Sequence, residues 1–142
     1  MPYDLLTNPL APDVVNGFNP ASPTGAVDVD FSYVYDVVLT GNQFLQNQSV
    51  ATTNDADFEW RATVISFATG AFNIRFSDSQ GYYLSNTLVA SANILGDASS
   101  PDPVFPGILI PAGGKIGIDI QDTSGGGNTI EIVFRGVKRY RV

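Results

Sequence analysis

Apolar and polar residues alternate with a period of two along much of the chain from residue 27 onward. The alternation is clearest in FSYVYDVVL (31–39), DFEWRATVISF (57–67) and AFNIRFSDS (71–79). This period is typical of β-strands that bury one face. The predicted inward positions are Phe31, Tyr33, Tyr35, Val37 and Leu39, then Phe58, Trp60, Ala62 and Val64, then Phe72, Ile74 and Phe76.

Two further strands are predicted near the end of the chain, with inward positions Ile116, Ile118 and Ile120, then Ile130, Ile132 and Phe134. Their linker, QDTSGGGN (121–128), is too short for a crossover helix, which predicts that the two strands pair antiparallel. The turn ATG (68–70) similarly predicts a hairpin between the strands on either side, because its glycine tolerates positive φ.

No stretch of ten or more residues combines a helical period with helix caps. Seven or eight strands follow each other at intervals of 8–15 residues, separated by Gly, Pro and Asn. Short, evenly spaced strands of this kind are typical of sandwiches and barrels. The sequence therefore predicts an all-β, antiparallel β-sandwich of jelly-roll type over residues 27–142.

Residues 1–26 predict an extended arm instead. Residues 2–25 hold five of the nine prolines, which exclude a helix and favour extended backbone. The arm is nevertheless apolar enough to need a surface to pack on, either its own domain or a neighbouring subunit. Its apolar residues are Tyr3, Leu5, Leu6, Leu10, Val14, Val15 and Phe18.

Composition excludes several kinds of chemistry. The chain has no Cys and no His, so disulfides, zinc sites built from these residues, and Ser-His-Asp or Cys-His catalysis are excluded. No cofactor is predicted. Because no apolar run approaches about 18 residues and the N-terminus lacks the features of a signal peptide, we expect a soluble protein that does not enter a membrane.

The charge is distributed unevenly. Residues 1–60 carry eight acidic residues and no Lys or Arg, whereas residues 61–142 carry seven bases and six acids. A net charge of −7 argues against binding to nucleic acid. Four of the seven bases lie in the last eight positions, and we expect them to pair with acidic surface, within the subunit or across an interface.

Candidate catalytic and metal-binding groups are few. Three carboxylate pairs have a spacing that a glycosidase could use, but such pairs are common on the wet face of a sheet: Asp57 with Glu59, Asp28 with Asp30, and Asp119 with Asp122. The loop TTNDADFE offers Asn54, Asp55 and Asp57 as calcium ligands but lacks the Gly and Glu of an EF-hand. No catalytic residue and no metal site are predicted.

Three segments resemble small jelly-roll proteins found among the virion genes of tailed bacteriophages. The closest resemblance lies in LIPAGGKIGIDIQDTSGGGNTIEIVFRGVKRY (109–140), where a P-x-G-G-x-I-x-I-x-I strand, a polar loop and a strand ending in G-x-K-R-Y follow each other. FSYVYDVVLTGNQFLQNQSVATTNDADFEW (31–60) and FNIRFSDSQGYYLSN (72–86) are also similar to that group. The resemblance covers most of residues 27–140 and leaves out the arm.

The resemblance implies a structural virion protein, such as a capsid decoration (cement) protein or a minor head protein, often a homotrimer on the shell. Its partners would be the major capsid protein and other copies of itself, on the capsid surface of a virion assembled in the host cytoplasm. The arm would supply apolar anchors, and the basic C-terminal tail of the chain would supply a charged rim. These expected interface residues are Tyr3, Leu5, Leu6, Leu10 and Phe18 of the arm, and Lys138, Arg139 and Arg141 of the tail.

Two alternatives stay open. A receptor- or carbohydrate-binding module of a tail or fibre predicts that Trp60, Tyr82 or Tyr83 lies on an open face, where an aromatic ring can stack on a sugar. A hydrolase predicts two facing acids in a cleft, with Asp57 and Glu59 as the candidates.

Overall fold

The computed structural model describes residues 4–5, 7–10, 26–97 and 99–141, and the side chains of 26–97, 99–104 and 107–140. The predicted anchors Tyr3, Leu6 and Phe18 lie outside the described residues. Leu5 and Leu10 lie in described strands, but their side chains do not belong to the described set.

Strands are almost the only regular secondary structure in the described part of the chain. A single turn of helix, α1 (Ser91–Ile94), interrupts them. The strands are β1 (Asp4–Leu5), β2 (Thr7–Leu10), β3 (Ala26–Leu39), β4 (Phe44–Ala51), β5 (Asp57–Ala68), β6 (Phe72–Ser77), β7 (Val89–Ala90), β8 (Asp102–Ile110), β9 (Lys115–Asp122) and β10 (Asn128–Arg141). The first two strands, β1 and β2, fall in the predicted arm.

Two four-stranded antiparallel sheets form a β-sandwich, which confirms the all-β prediction. Sheet I has the order β3-β10-β5-β8 and sheet II the order β4-β9-β6-β7. The pairs are nested along the chain: β3 pairs with β10, β4 with β9, β5 with β8, and β6 with β7. The contacts of β10 with β5, and of β9 with β6, then join these ribbons into sheets.

The two predicted hairpins are wrong. β5 and β6, on either side of the ATG turn, belong to different sheets, and so do β9 and β10. The short linkers do not turn a strand back on its neighbour but carry the chain across the sandwich. Asn128 and Asp122 hold both crossings, since Asn128 binds the backbone of Gly70 and Ala71 as well as the Asp122 carboxylate.

The core lies between the sheets and follows the predicted alternation at most positions, although Phe31, which was predicted to point into it, is 36% exposed. Trp60, Phe76 and Phe134 meet edge to face, with ring centroids 5.3–5.4 Å apart. Such contacts add to the stabilisation that burial of the rings provides. The other fully buried large side chains are Leu39, Phe58, Phe72, Ile74, Ile110, Ile116, Ile118, Ile120, Ile130 and Ile132.

The alternation of β5 changes phase in the middle of the strand, which the sequence analysis did not predict. The register against β10 shifts at Arg61, so that Thr63 and Ile65, rather than Ala62 and Val64, continue the face of Trp60. Thr63 is buried, and its hydroxyl accepts a hydrogen bond from the Trp60 indole at 3.0 Å. A β-bulge explains the change, because one extra residue turns the side chains that follow it to the other face. A second register shift, between Ile65 and Phe67, restores the original phase, so that Phe67 points outward.

Two tyrosines on the buried face of β3 provide a matched stability test. The hydroxyl of Tyr35 is buried without a hydrogen-bond partner among the described residues, whereas that of Tyr33 accepts a bond from the Thr53 amide at 3.0 Å. Burial raises the pKa of Tyr35 to about 12. Because an unpaired buried hydroxyl is costly, we expect Tyr35→Phe to raise the free energy of unfolding by about 1 kcal/mol.

Tyr33→Phe is the control for this prediction and should lower the free energy of unfolding by about 1 kcal/mol, since it removes a hydrogen bond that is made. Urea denaturation of both variants measures the difference. A loss of stability in Tyr35→Phe equal to that in Tyr33→Phe would show that the Tyr35 hydroxyl has a partner.

Candidate functional site

The two predicted basic residues whose side chains are described both lie on β10, on opposite faces of sheet I. Lys138 continues the inward phase of Ile132, Phe134 and Gly136, and Arg139 points outward. Arg141 ends the strand, and its side chain lies outside the described set. The basic segment is therefore part of the sheet, paired with β3 along its whole length.

Lys138 lies at the end of the sandwich and is only 4% exposed. Its ammonium donates to both carboxylate oxygens of Asp55, at 3.0 and 3.1 Å, and to the Thr53 hydroxyl at 2.9 Å. The same ammonium lies 3.8 Å from the centre of the Phe31 ring, a cation–π contact. The Tyr140 hydroxyl also donates to Asp55, at 2.7 Å.

Hydrogen bonds determine the ionisation of this group. Bonds from Thr53, Tyr140 and Lys138 hold the pKa of Asp55 well below its usual range. Burial alone would lower the pKa of Lys138, but the bond and ion pair with Asp55 outweigh it and raise that pKa. Both residues are therefore charged at neutral pH, and the ammonium of Lys138 is not at the surface, where the predicted rim would need it.

Arg139 also has partners within the subunit. Its guanidinium binds Asp28 of β3 at 2.8 and 3.2 Å and Glu59 of β5 at 3.3 Å. Glu59 in turn accepts two bonds from Arg61. Of the two alternatives left open for the C-terminal bases, Lys138 and Arg139 thus follow the first, pairing with acids of their own subunit.

The outer face of sheet I carries an exposed apolar area that the sequence analysis did not predict. We call it the outer patch; it comprises Val34, Val38 and Phe67, which are 46%, 70% and 52% exposed. Val34 and Val38 occupy the outward phase of β3, opposite Val133 and Thr129 of β10. The sequence could have indicated this patch, because Val34, Val38 and Phe67 are apolar at positions where the alternation predicts polar residues.

An acidic pair lies in the middle of this patch. Asp36 of β3 is directly opposite Glu131 of β10. A hydrogen bond to Glu131, followed by burial and by the charge of Glu131, raises the pKa of Asp36. The outward neighbours on the two strands are Val34, Val38, Thr129 and Val133, and Phe67 of β5 is opposite Glu131. None of these described neighbours is a base that could compensate the two acids.

Asp36→Asn should therefore raise the melting temperature at pH 7, because like charges directly opposite each other destabilise a sheet. An acid whose pKa is raised on folding stabilises the native state most below its unfolded pKa of about 4 and loses this effect as the pH rises through the folded pKa. The gain of Asp36→Asn should accordingly shrink below about pH 4. Thermal melts from pH 3 to 8 measure this gain.

Asp30→Asn is the control, because Asp30 lies on the same face but opposite Val137. An equal gain in both variants would contradict the prediction.

The aromatic residues considered for sugar stacking have different environments. Trp60 is buried in the core, as its inward position on the alternation predicts, and does not lie on the open face that a carbohydrate-binding module would need. Tyr82 and Tyr83 follow β6 on a turn and are exposed. The Tyr83 ring lies 3.6 Å from the guanidinium of Arg75, which is paired at 3.1 Å with the buried Asp119.

The candidate acids for catalysis and for calcium do not converge. Asp57 accepts a bond from the Ala112 amide, Glu59 binds Arg61 and Arg139, and Asp55 binds Lys138. Asp122 binds the turn that follows it, with bonds to the Ser124 hydroxyl and the Gly125 amide. In the part of the chain that the structure describes, no three acidic residues form a group that could hold a metal ion.

Residues 26–97 and 99–141 contain no helix that is long and apolar enough to cross a membrane. No protein-family model matches this chain, and a search of the curated proteins finds no match either.

Proposed function

We propose that this chain is a structural virion protein of a tailed bacteriophage, which decorates and stabilises the capsid by bridging its subunits. The observation that carries the proposal is the outer patch. Val34, Val38 and Phe67 hold apolar surface in water on a regular sheet face, and exposed patches of this kind mark contact surfaces for other proteins. The resemblance of residues 27–140 to phage jelly-roll proteins gives the class of partner.

We further propose that the sandwich is of jelly-roll type. The nested pairing of β3 with β10, β4 with β9, β5 with β8 and β6 with β7 supports this. A jelly roll is an eight-stranded double sheet built from two Greek keys. A long antiparallel ribbon rolled into two sheets gives the same nesting.

The pairing of Lys138 and Arg139 within the subunit supports a contact surface that does not use these bases. Lys138 and Arg139 are satisfied by Asp55, Asp28 and Glu59, so binding a partner through them would require breaking ion pairs. The outer patch and the apolar residues of the arm carry no such cost. Each contact can be weak, because many copies on one particle act together.

Binding to empty capsids tests this function. We expect that deleting residues 2–25, or replacing Phe67 by Asp in the outer patch, lowers the occupancy of capsid sites at least tenfold. Leu109→Asp is the control, since Leu109 is similarly exposed but lies at the opposite edge of sheet I, on β8. Unaltered occupancy in both of the first two variants would refute the proposed function.

The exposure of Tyr82 and Tyr83 favours a second candidate, a receptor- or carbohydrate-binding module of a tail or fibre. Tyr83 is engaged with Arg75, which leaves Tyr82, 69% exposed, as the ring that can stack on a sugar. A glycan-array signal that disappears in Tyr82→Ala and persists in Phe67→Asp would support this candidate over capsid binding.

A further inference from the structure

The four sheet edges of the sandwich differ in how they are protected against pairing with another chain. An exposed edge presents unpaired backbone groups, and proteins block such edges with bulges, prolines or very short strands. The edge strands here are β3 and β8 in sheet I, and β4 and β7 in sheet II.

Three of the edges carry such protection. β4 contains a bulge between Leu45 and Gln48, where Asn47 adopts a φ of 58° and its amide binds Asp119. β8 contains Pro103 and Pro106 and loses its register between the pairs Trp60–Ile108 and Ala62–Pro103. β7 is only two residues long.

The edge of β3 has none of these features. Its 14 residues pair with β10 from Ala26 to Leu39 without a register shift, and they include no proline and no lysine. In the described part of the chain, β3 hydrogen-bonds to no strand other than β10. Side chains along it are exposed on both faces, with Val27, Val29 and Phe31 on one and Val34 and Val38 on the other.

The only charges on β3 are acidic, namely Asp28, Asp30 and Asp36. A second β3 from another copy would bring acids against acids, which discourages self-pairing. An extended segment that carries bases would instead bring opposite charges beside the acids of β3. This chain has no such segment to offer, because residues 1–60 contain no Lys or Arg and four of the seven bases lie within β10, which already has β3 and β5 on its two sides.

We propose that the edge of β3 is a docking site at which an extended, basic segment of a different protein adds as a fifth strand to sheet I. The main chain of the segment would pair with β3, its apolar residues would cover Val27, Val29 and Phe31 on the inward side, and its bases would lie on the outward side, beside Asp30 and Asp36. Strand addition obtains affinity from main-chain bonds and specificity from alternate side chains. The inference rests on the proposed function only for the identity of the protein that supplies the segment.

The test uses the full-length protein and capped ten-residue peptides in which valine alternates with lysine or, for comparison, with glutamate. We expect the lysine peptide to bind at least tenfold more tightly than the glutamate peptide at low salt. Hydrogen exchange should slow at alternate amides of β3, those that point away from β10. No slowing along β3, or equal affinity for both peptides, would overturn the proposal.

N-methylated peptides separate strand addition from simple charge attraction. Methylation of the amides that face β3 removes donors and should abolish binding, whereas methylation of the alternate set should not; equal effects of the two sets would overturn the proposal. Val34→Lys should weaken the lysine peptide at least fivefold, and Leu109→Lys on the opposite edge should leave it unchanged. Both lie at exposed positions.

The same experiment distinguishes other occupants of the edge. A dimer seen by light scattering that the lysine peptide dissociates would mean that a second copy covers β3. Peptide binding that appears only after deletion of residues 2–25 would mean that the chain's own N-terminal segment covers it. Either result would overturn the proposal, and neither depends on whether the protein binds capsids.

Discussion

Replacing Gly136 by alanine is expected to lower the free energy of unfolding by about 3 kcal/mol or more, the upper range for overpacking a core. Gly136 lies in the middle of β10, opposite Phe31 of β3 and Trp60 of β5. A Cβ atom there would lie 1.9 Å from the backbone carbonyl oxygen of Glu59 and 3.0 Å from the Phe58 ring. The obstacle is backbone at the bulge of β5, which cannot rotate away as a side chain would.

Gly126→Ala is the matched control, because nothing lies within 4 Å of the Cβ it would add. Its effect should stay within about 0.5 kcal/mol. Urea denaturation of both variants measures the difference. A Gly136→Ala protein as stable as the wild type would mean that β5 and β10 do not approach each other as closely as the structure shows.

The sequence predicted which side chains enter the core far better than which strands pair. Apolar residues alternate locally at Phe72, Ile74 and Phe76, and at Ile116, Ile118 and Ile120. The buried positions follow directly from this local pattern. Pairing is different, because QDTSGGGN and ATG are equally compatible with a turn inside one sheet and with a step across two. The choice is made by contacts far away in the sequence, such as those of β10 with β3.

The phase change in β5 and the buried Lys138 show the same limit at single positions. No residue type around Arg61 marks the bulge, which lies where Gly136 of the neighbouring strand comes close to the backbone of Glu59. Lys138 occupies an inward position on the alternation of β10, but a charged residue there is tolerated only because Asp55, brought from the β4–β5 connection, binds it. A sequence reading that treats charge as outward places such a residue wrongly.

These pairings also explain why the bases of an acidic chain are concentrated at its end. β10 lies between β3 and β5, so its outward and inward bases meet acids from both earlier strands and from the loop between β4 and β5. The uneven charge of the two halves thus supports pairing of the correct strands within one subunit. It also leaves β3 with no base of its own, which is the property on which the proposed docking edge depends.

The pair of Asp55 and Lys138 should respond very differently to removal of one partner or the other. The side chain of Lys138 is 5% exposed, whereas that of Asp55 is 45% exposed. Asp55→Asn leaves a buried ammonium without a counter-ion, and a buried charge that has lost its partner is strongly destabilising. Lys138→Met leaves a carboxylate that water still reaches, so we expect a clearly smaller fall in melting temperature.

The double variant, Asp55→Asn with Lys138→Met, should have nearly the stability of Lys138→Met alone, because once the ammonium is gone the loss of the carboxylate costs little.

Acid titration gives a second measurement of the same pair. Since folding lowers the pKa of Asp55, its contribution is complete above the unfolded value of about 4 and is lost as the pH falls through the folded value. The wild type should therefore lose stability below about pH 4 more steeply than Asp55→Asn. Equal falls in melting temperature for the two single variants at pH 7 would show that water reaches Lys138 as freely as Asp55, which contradicts the buried position of Lys138 at the end of the sandwich.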